Sequence, residues 1–323
     1  MSSRTKKQHI VPRFYLSKFC DADGMVWTYS GGDKPRGDRP EATAVETNFY
    51  SPIGAEGERF DEAEKLLAQI ESNAAPLWDN LCAGEVLVGE QREHIGVFLA
   101  AQYLRSPSAI RAGAELMASL AHHTAQSIAA DKETHDRSID SFEKDTGKKI
   151  SPEEREKMRE FVRDPNNFSM NVLRSAGLPM LTGLEQLANI FLNMKWAVGH
   201  SGEQHLITSD SPVTRISDPT THHPVHGDGA FANRTVKVQF PLTPNRLIEM
   251  TWRGEEKEGV AEIPKALARE LNGIRAAQAE RFVYASEKDY GITKLCKKWL
   301  EREKPPKIVA AGDSPVINVK RKL

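Results

Sequence analysis

The chain lacks any closely spaced pair of cysteines: Cys20, Cys82 and Cys296 are far apart, and their number is odd. This excludes a CxxC redox or metal motif, and it predicts reduced thiols in a cytoplasmic protein. No apolar run approaches the roughly 20 residues that span a bilayer, so no membrane partner is expected. The first ten residues are polar and carry no apolar leader core. Excess charge is also missing: 44 Lys and Arg stand against 45 Asp and Glu, a formal charge of -1. That balance excludes a general nucleic-acid coat but leaves room for a local basic patch. There is no internal repeat, no phosphate-binding P-loop and no Gly-x-Ser-x-Gly nucleophile elbow. The sequence also shows no Asp…Glu-x-Lys arrangement near Asp210, no His-Asn-His spacing and no His-x-Lys nuclease motif.

What remains is an ordinary core-forming composition, 39% hydrophobic over 323 residues, enough for one large core or two smaller ones. Pro12 suits a first helical turn, so 12–19 reads as a short helix with Phe14, Tyr15, Leu16 and Phe19 seeking a core. "GMVWTYS" (24–30) and "AVETNFYSP" (44–52) read as extended. From about 57, Phe60, Ala63, Leu67, Ile70, Ala74, Leu77 and Leu81 recur at helical spacing. Helices follow at 90–105 and then to about 130 through Leu116 and Leu120. The charged stretch 131–161 reads as a solvated helical excursion, with Ser151-Pro152 starting a new helix. Another helix is expected over 179–192. "KWAVGHSGEQHLITS" and "TVKVQFPLTPNRLIEMTW" each read as a strand pair, and 217–233 as a long polar loop. A helix over 263–286, carrying Leu267, Leu271, Ile274 and Phe282, closes a main domain of 1–286. A C-terminal helix and tail take 287–323. The fold class is helix-rich α+β, a single core with a small, mainly antiparallel sheet.

Several polar residues fall where a plain core would be apolar. On the 90–105 helix, Gln102 lies four after Phe98 and three after Leu99, with Arg105 one turn later. Both need partners, because an unpaired buried polar group costs about 1–3 kcal/mol and a charge more. They either line a cleft that holds a substrate anion or form an architectural network. Glu71 sits at the edge of its helix's apolar stripe. Asp210 follows an apolar strand in "LITSDSPV", a place for a catalytic carboxylate and equally for turn chemistry. His9 stands just outside the Pro12 helix and titrates near neutral pH. His222, His223 and His226 in "HHPVH" are metal candidates by spacing, although Pro224 interrupts any helix there.

The motifs "QHIVPRFYLSKF", "TNFYS", "IESNAAPLWDNL", "FLAAQYLRSP", "LITSDSPV", "FPLTPN" and "AERFVYAS" occur in that order over about 8–286. Together they resemble a bacterial family known as domain of unknown function 4238. Its members open with Gln-His-x-Val-Pro and carry later Gln-x-x-Arg and Thr-Ser-Asp-x-Pro motifs. The resemblance implies a place in phage defence. It puts weight on Gln8, His9, Arg13, Tyr15, Asn48, Glu71, Gln102, Arg105, Ser209 and Asp210. Ser211 stands where the family often has Asn.

The expected chemistry is hydrolysis of a nucleic acid or nucleotide. His9 would be the acid or base, Glu71 and Asp210 would orient it or hold a divalent metal ion, and Arg105 would clamp phosphate. Gln8, Arg13, Tyr15, Asn48, Gln102 and Ser209 would bind substrate. The alternative is a non-catalytic sensor in which the same cluster recognises a nucleotide or a phage protein trigger.

Overall fold

A computed structural model describes residues 7–32, 34–52, 60–221, 230–252, 259–300 and 316–319. The HHPVH histidines lie outside the described residues. The chain forms two compact units: unit 1 takes 7–110 and 179–300, and unit 2 takes 111–178 with 316–319. The α+β class holds for the chain as a whole.

Unit 1 begins with β1 (Lys7–His9), which pairs antiparallel with β4 (Val45–Thr47) and places Gln8 opposite Glu46. Between them lie α1 (Arg13–Leu16), β2 (Val26–Tyr29) and β3 (Arg36–Asp38). The helix expected from about 57 is broken. α2 (Glu62–Ala74) ends in a 3-10 turn containing Pro76, and α3 (Trp78–Ala83) resumes after it, because proline lacks the N–H that an uninterrupted helix needs. α4 (Gly89–Leu104) then runs through the buried Ile95, Phe98 and Leu99. Gly96 lets α4 approach its neighbour closely, since a Cβ there would stand 2.7 Å from Leu192 Cδ2.

Unit 2 starts inside α5 (Pro107–Ala130) and continues through α6 (Lys132–Thr146) and α7 (Pro152–Arg163) to β5 (Phe168–Asn171). Ser151 and Glu154 make the reciprocal cap expected at a Ser-Pro helix start. α5 runs through Leu116 and Leu120 as expected, and both are exposed on it.

The chain returns to unit 1 with α8 (Leu184–Leu192), preceded by a 3-10 stretch where a longer helix was expected. β6 (Lys195–His200), β8 (Thr214–Ile216), β9 (Lys237–Thr243), β10 (Arg246–Thr251) and β11 (Gly259–Glu262) form a sheet ordered β11-β6-β10-β9-β8. Only the β11–β6 pairing in it is parallel. The β9–β10 hairpin matches the expected strand pair. The hairpin expected over 195–209 does not form. β6 pairs with β10, whereas β7 (Thr208–Ser209) pairs with β12 (Val283–Ala285) in a second sheet ordered β3-β2-β12-β7. The helix expected over 263–286 also stops early. α9 (Lys265–Gln278) gives way to β12, and Leu267 is exposed. α10 (Tyr290–Leu300) packs its buried Ile292, Cys296 and Leu300 with Tyr29, Ile207 and Val283. The last strand, β13 (Val316–Val319), belongs to unit 2 and pairs with β5.

Phe14 and Tyr15 explain the aromatic turn after Pro12. They join Trp78, Phe98 and Phe240 in one cluster of edge-on and tilted rings, with Trp78 to Phe98 at 5.3 Å and Tyr15 to Phe240 at 4.7 Å between ring centres. Such pairs each add about 0.5–1.5 kcal/mol to the area they bury. The cluster pins the start of the fold to β9 and α4, so the residues just before Pro12 are held against the C-terminal end of α4.

Candidate functional site

Four of the expected residues meet around that junction. Arg105, at the C-terminal cap of α4, is only 3% exposed. Its Nη1 donates to Glu71 Oε1 at 2.5 Å, its Nη2 to the backbone carbonyl of His9 at 2.5 Å, and its Nε to the Tyr50 hydroxyl at 3.2 Å. Tyr50 in turn donates to the Arg105 carbonyl at 3.1 Å. Burial alone would lower the guanidinium pKa. Tyr50 and Glu71 more than offset it, so the charge is kept. Gln8, 1% exposed, completes the cluster: its Nε2 donates to Ser51 Oγ and its Oε1 accepts from the Tyr50 N–H, both at 2.7 Å.

His9 itself is half-buried. Its Nε2 lies 3.2 Å from the Pro40 carbonyl, which can only accept, so Nε2 carries a proton and Nδ1 holds the lone pair in the neutral ring. Burial lowers its pKa against the raising effects of the Pro40 carbonyl and Glu71, while Arg105 and Arg13 push the same way as burial. The imidazole is therefore neutral at pH 7. Arg13 is largely exposed and pairs with Glu41 at 2.6 Å, on the same 3-10 turn that holds His9.

Asp210 follows β7 and makes its hydrogen bonds with the segment after α9 rather than with His9. It is fully buried, and its oxygens accept from the N–H groups of Glu280 (2.8 Å), Arg281 (2.7 Å) and Phe282 (3.1 Å). Those are the amides of the segment leaving α9, which have no helical partner. No hydrogen bond or ion pair joins Asp210 to His9 or Arg105. Burial pushes its carboxyl up to about 6, against the opposing pull of the three amides. Arg105 makes the contacts of the architectural alternative. With Glu71, Tyr50 and the His9 carbonyl on its three nitrogens, it braces the chain rather than offering a fork to phosphate.

The other expected residues are dispersed. The Tyr15 hydroxyl sits 2.7 Å from Thr208 Oγ1 and 2.7 Å from the Pro241 carbonyl, tying α1 to two later strands. Ser209 Oγ accepts from the Ser211 N–H in the turn after β7. Asn48 occupies a left-handed turn at φ 51°, a conformation asparagine tolerates. Gln102 is 1% exposed, and neither end of its amide has a partner in the chain. Ser211 Oγ lies 2.9 Å from Ser108 Oγ, so the Thr-Ser-Asp-x-Pro motif reaches the start of α5 through serines rather than through Asp210.

The sequence reading missed Tyr50 and Ser51 as the second layer of the His9 cluster. It also missed Arg275, a fully buried arginine on α9. The signal was available: Arg275 lies four residues after Leu271, the same misplaced-polar spacing that exposed Gln102. Among the described residues, no group of three or more His, Cys, Asp or Glu stands where it could hold a metal ion. No helix there is long and apolar enough to cross a membrane.

No curated protein and no solved structure matches this chain. A family model does: that of proteins of unknown function designated DUF4238, which covers residues 7–289, from β1 to the start of α10. The span contains the Gln8-His9 strand, the Arg105 hub and the Asp210 cap together, and the chain belongs to that family.

Proposed function

We propose that the protein is a cytoplasmic phage-defence effector that hydrolyses a nucleic acid or nucleotide, with His9 as its proton carrier. The defence role rests on the motif resemblance. The observation that carries the chemical role is the state of His9: a neutral ring, fixed through Nε2, with a lone pair on Nδ1. A neutral, oriented imidazole can take a proton from an attacking water and return it to a leaving oxygen. Glu71, Arg105 and Tyr50 are positioning residues in this reading, because they hold the His9 backbone rather than the substrate. Arg13, one turn along, is exposed and paired with Glu41, and in this reading it exchanges that carboxylate for an anionic substrate. Three free thiols accord with a reducing compartment.

A specific observation favours a second reading, a non-catalytic binding module. Arg105 and Asp210 already make three hydrogen bonds each within the chain, which suits bracing as well as chemistry. Induced expression of wild type beside His9→Ala and His9→Asn separates the two, with melting curves confirming that each variant folds. Growth arrest with loss of RNA, DNA or nucleotide in the wild type alone supports the effector. Equal toxicity of all three removes His9 from the mechanism. Absence of turnover, with a phage component bound equally by wild type and variants, supports the binding module.

A further inference from the structure

α9 carries three polar side chains at the edge of the unit 1 interior, and two are fully engaged. Asn272 Oδ1 accepts from the Ile207 N–H at 3.0 Å, and its Nδ2 donates to the His205 carbonyl at 2.8 Å. Gln278 Oε1 accepts from the Arg215 N–H at 3.0 Å, and its Nε2 donates to the Arg215 carbonyl at 2.8 Å. Arg275 lies between them. It is 0% exposed, and Nε, Nη1 and Nη2 all lack a partner in the chain.

A buried cation without a counter-charge is among the most costly features a fold can carry, and an apolar side chain of similar size is usually the more stable choice. No residue nearby supplies the missing charge. Tyr15 is the titratable group that acts on Arg275, and burial holds its phenol protonated far above neutral pH. Its hydroxyl is already engaged with Thr208 and the Pro241 carbonyl. Asp210, the fully buried carboxylate of unit 1 among the described residues, is already turned to three amides. Burial lowers the Arg275 guanidinium only to about 10, so the charge persists at neutral pH.

A second orphan lies on the same side of the β7–β12 pair. Tyr284 is opposite Thr208 in the ladder, so both side chains leave the face on which Tyr15 sits. The buried Tyr284 hydroxyl has no partner. Arg275 thus leaves its guanidinium N–H groups in the interior of unit 1 with no acceptor on them among the described residues. The complementary ligand is a small anion with several acceptor oxygens. A guanidinium fork fits two oxygens of a phosphate or carboxylate and gains direction from both, which a spherical halide cannot provide.

We propose that Arg275 anchors an internal binding site for an oxyanion, a phosphate or carboxylate compound, on the inner side of α9 beside Tyr15. The site is separate from His9, and either reading can fail without the other. Because Arg275 has no exposed surface, the anion enters only when unit 1 opens, and it leaves slowly.

The full chain, purified in chloride buffer, is melted with added inorganic phosphate, with acetate and with chloride at equal ionic strength. The purified protein is also denatured, and the released phosphate and carboxylates are measured. The expected result is a stoichiometric oxyanion released, or an oxyanion-specific rise in Tm of about 5–10 °C at a hundredfold excess over Kd. A phosphate response identifies a phosphate compound, and an acetate response a carboxylate. Arg275→Met abolishes the rise and melts at or above wild type in chloride; Arg275→Lys, which keeps the charge, retains part of it. The proposal is overturned if wild type responds to phosphate and acetate no more than to chloride and releases no oxyanion. It is equally overturned if Arg275→Met keeps the full response. Should Arg275→Met not fold, the wild-type titration and the released anion decide alone.

Discussion

Glu71→Gln is the sharpest perturbation of the Arg105 hub, because it removes one negative charge and almost no volume. Breaking a buried ion pair by deleting one partner costs about 3–5 kcal/mol when the surviving charge is left alone. Arg105 would not be alone, since the His9 carbonyl and the Tyr50 hydroxyl remain on its other nitrogens. Glu71 also keeps a quarter of its side chain in water, which screens the pair. The loss is therefore expected near 2 kcal/mol, or a fall in Tm of roughly 4–8 °C for a domain of this size. Urea unfolding followed by tryptophan fluorescence reads it well, because Trp78 lies in the aromatic cluster against α4. Combining Glu71→Gln with Arg105→Met should cost less than the two single changes added together, by about 1 kcal/mol or more. A Glu71→Gln protein within about 0.5 kcal/mol of wild type, the range of an ordinary surface substitution, would refute the hub as a source of stability.

Three further outcomes are expected. The His9 ring resists protonation in the fold, so its NMR titration midpoint lies below 6.5. Stability contributed by neutral His9 is lost as pH falls from 6.5 through that midpoint, and His9→Asn flattens the dependence. Asp210 has the opposite sign. With its folded pKa raised to about 6, its contribution is full below its ordinary value of 3.8 and is lost as pH rises toward 6. The stability difference between wild type and Asp210→Asn should shrink by roughly 2 kcal/mol between pH 4 and pH 6 in urea titrations, and a flat difference contradicts it. Gln102→Leu replaces an amide with no partner in the chain by an apolar group of similar size, and it should raise stability by about 1 kcal/mol. A loss would mean that the amide has a partner outside the chain.

The His9 cluster was largely legible because its signal is local. A period of 3.6 residues exposes Gln102 and Arg105 on an apolar stripe, and Glu71 at the border of another. Asp210 stays ambiguous in the sequence because a Ser-Asp-Ser-Pro turn looks the same whether its carboxylate faces a cleft or collects amides seventy residues away. Strand pairing was misread for a related reason. β6 and β7 are neighbours in sequence, yet each finds its ladder partner beyond residue 240. β12 was hidden because "ERFVYAS" extends the apolar spacing of α9 while its backbone turns at Ala279. The charged stretch 131–161 marks the middle of unit 2, but its flanks in α5 and β5 carry no compositional break that would give its bounds.

The assembly of unit 1 from two chain segments has a consequence for its birth on the ribosome. The bracing contacts of Arg105 with Glu71, Tyr50 and the His9 carbonyl all lie within the first 110 residues, so they can close while the remainder is still being made. The Tyr15 hydroxyl must wait for Thr208 and Pro241, 193 and 226 positions downstream. At ordinary translation speeds of about 5–20 residues per second, that leaves an interval of roughly 10–45 s. Throughout it, Phe14, Tyr15 and Trp78 lack Phe240 as a cover. The nascent chain thus carries a half-built aromatic nest that invites chaperones or sticky neighbours until the second segment arrives to roof it.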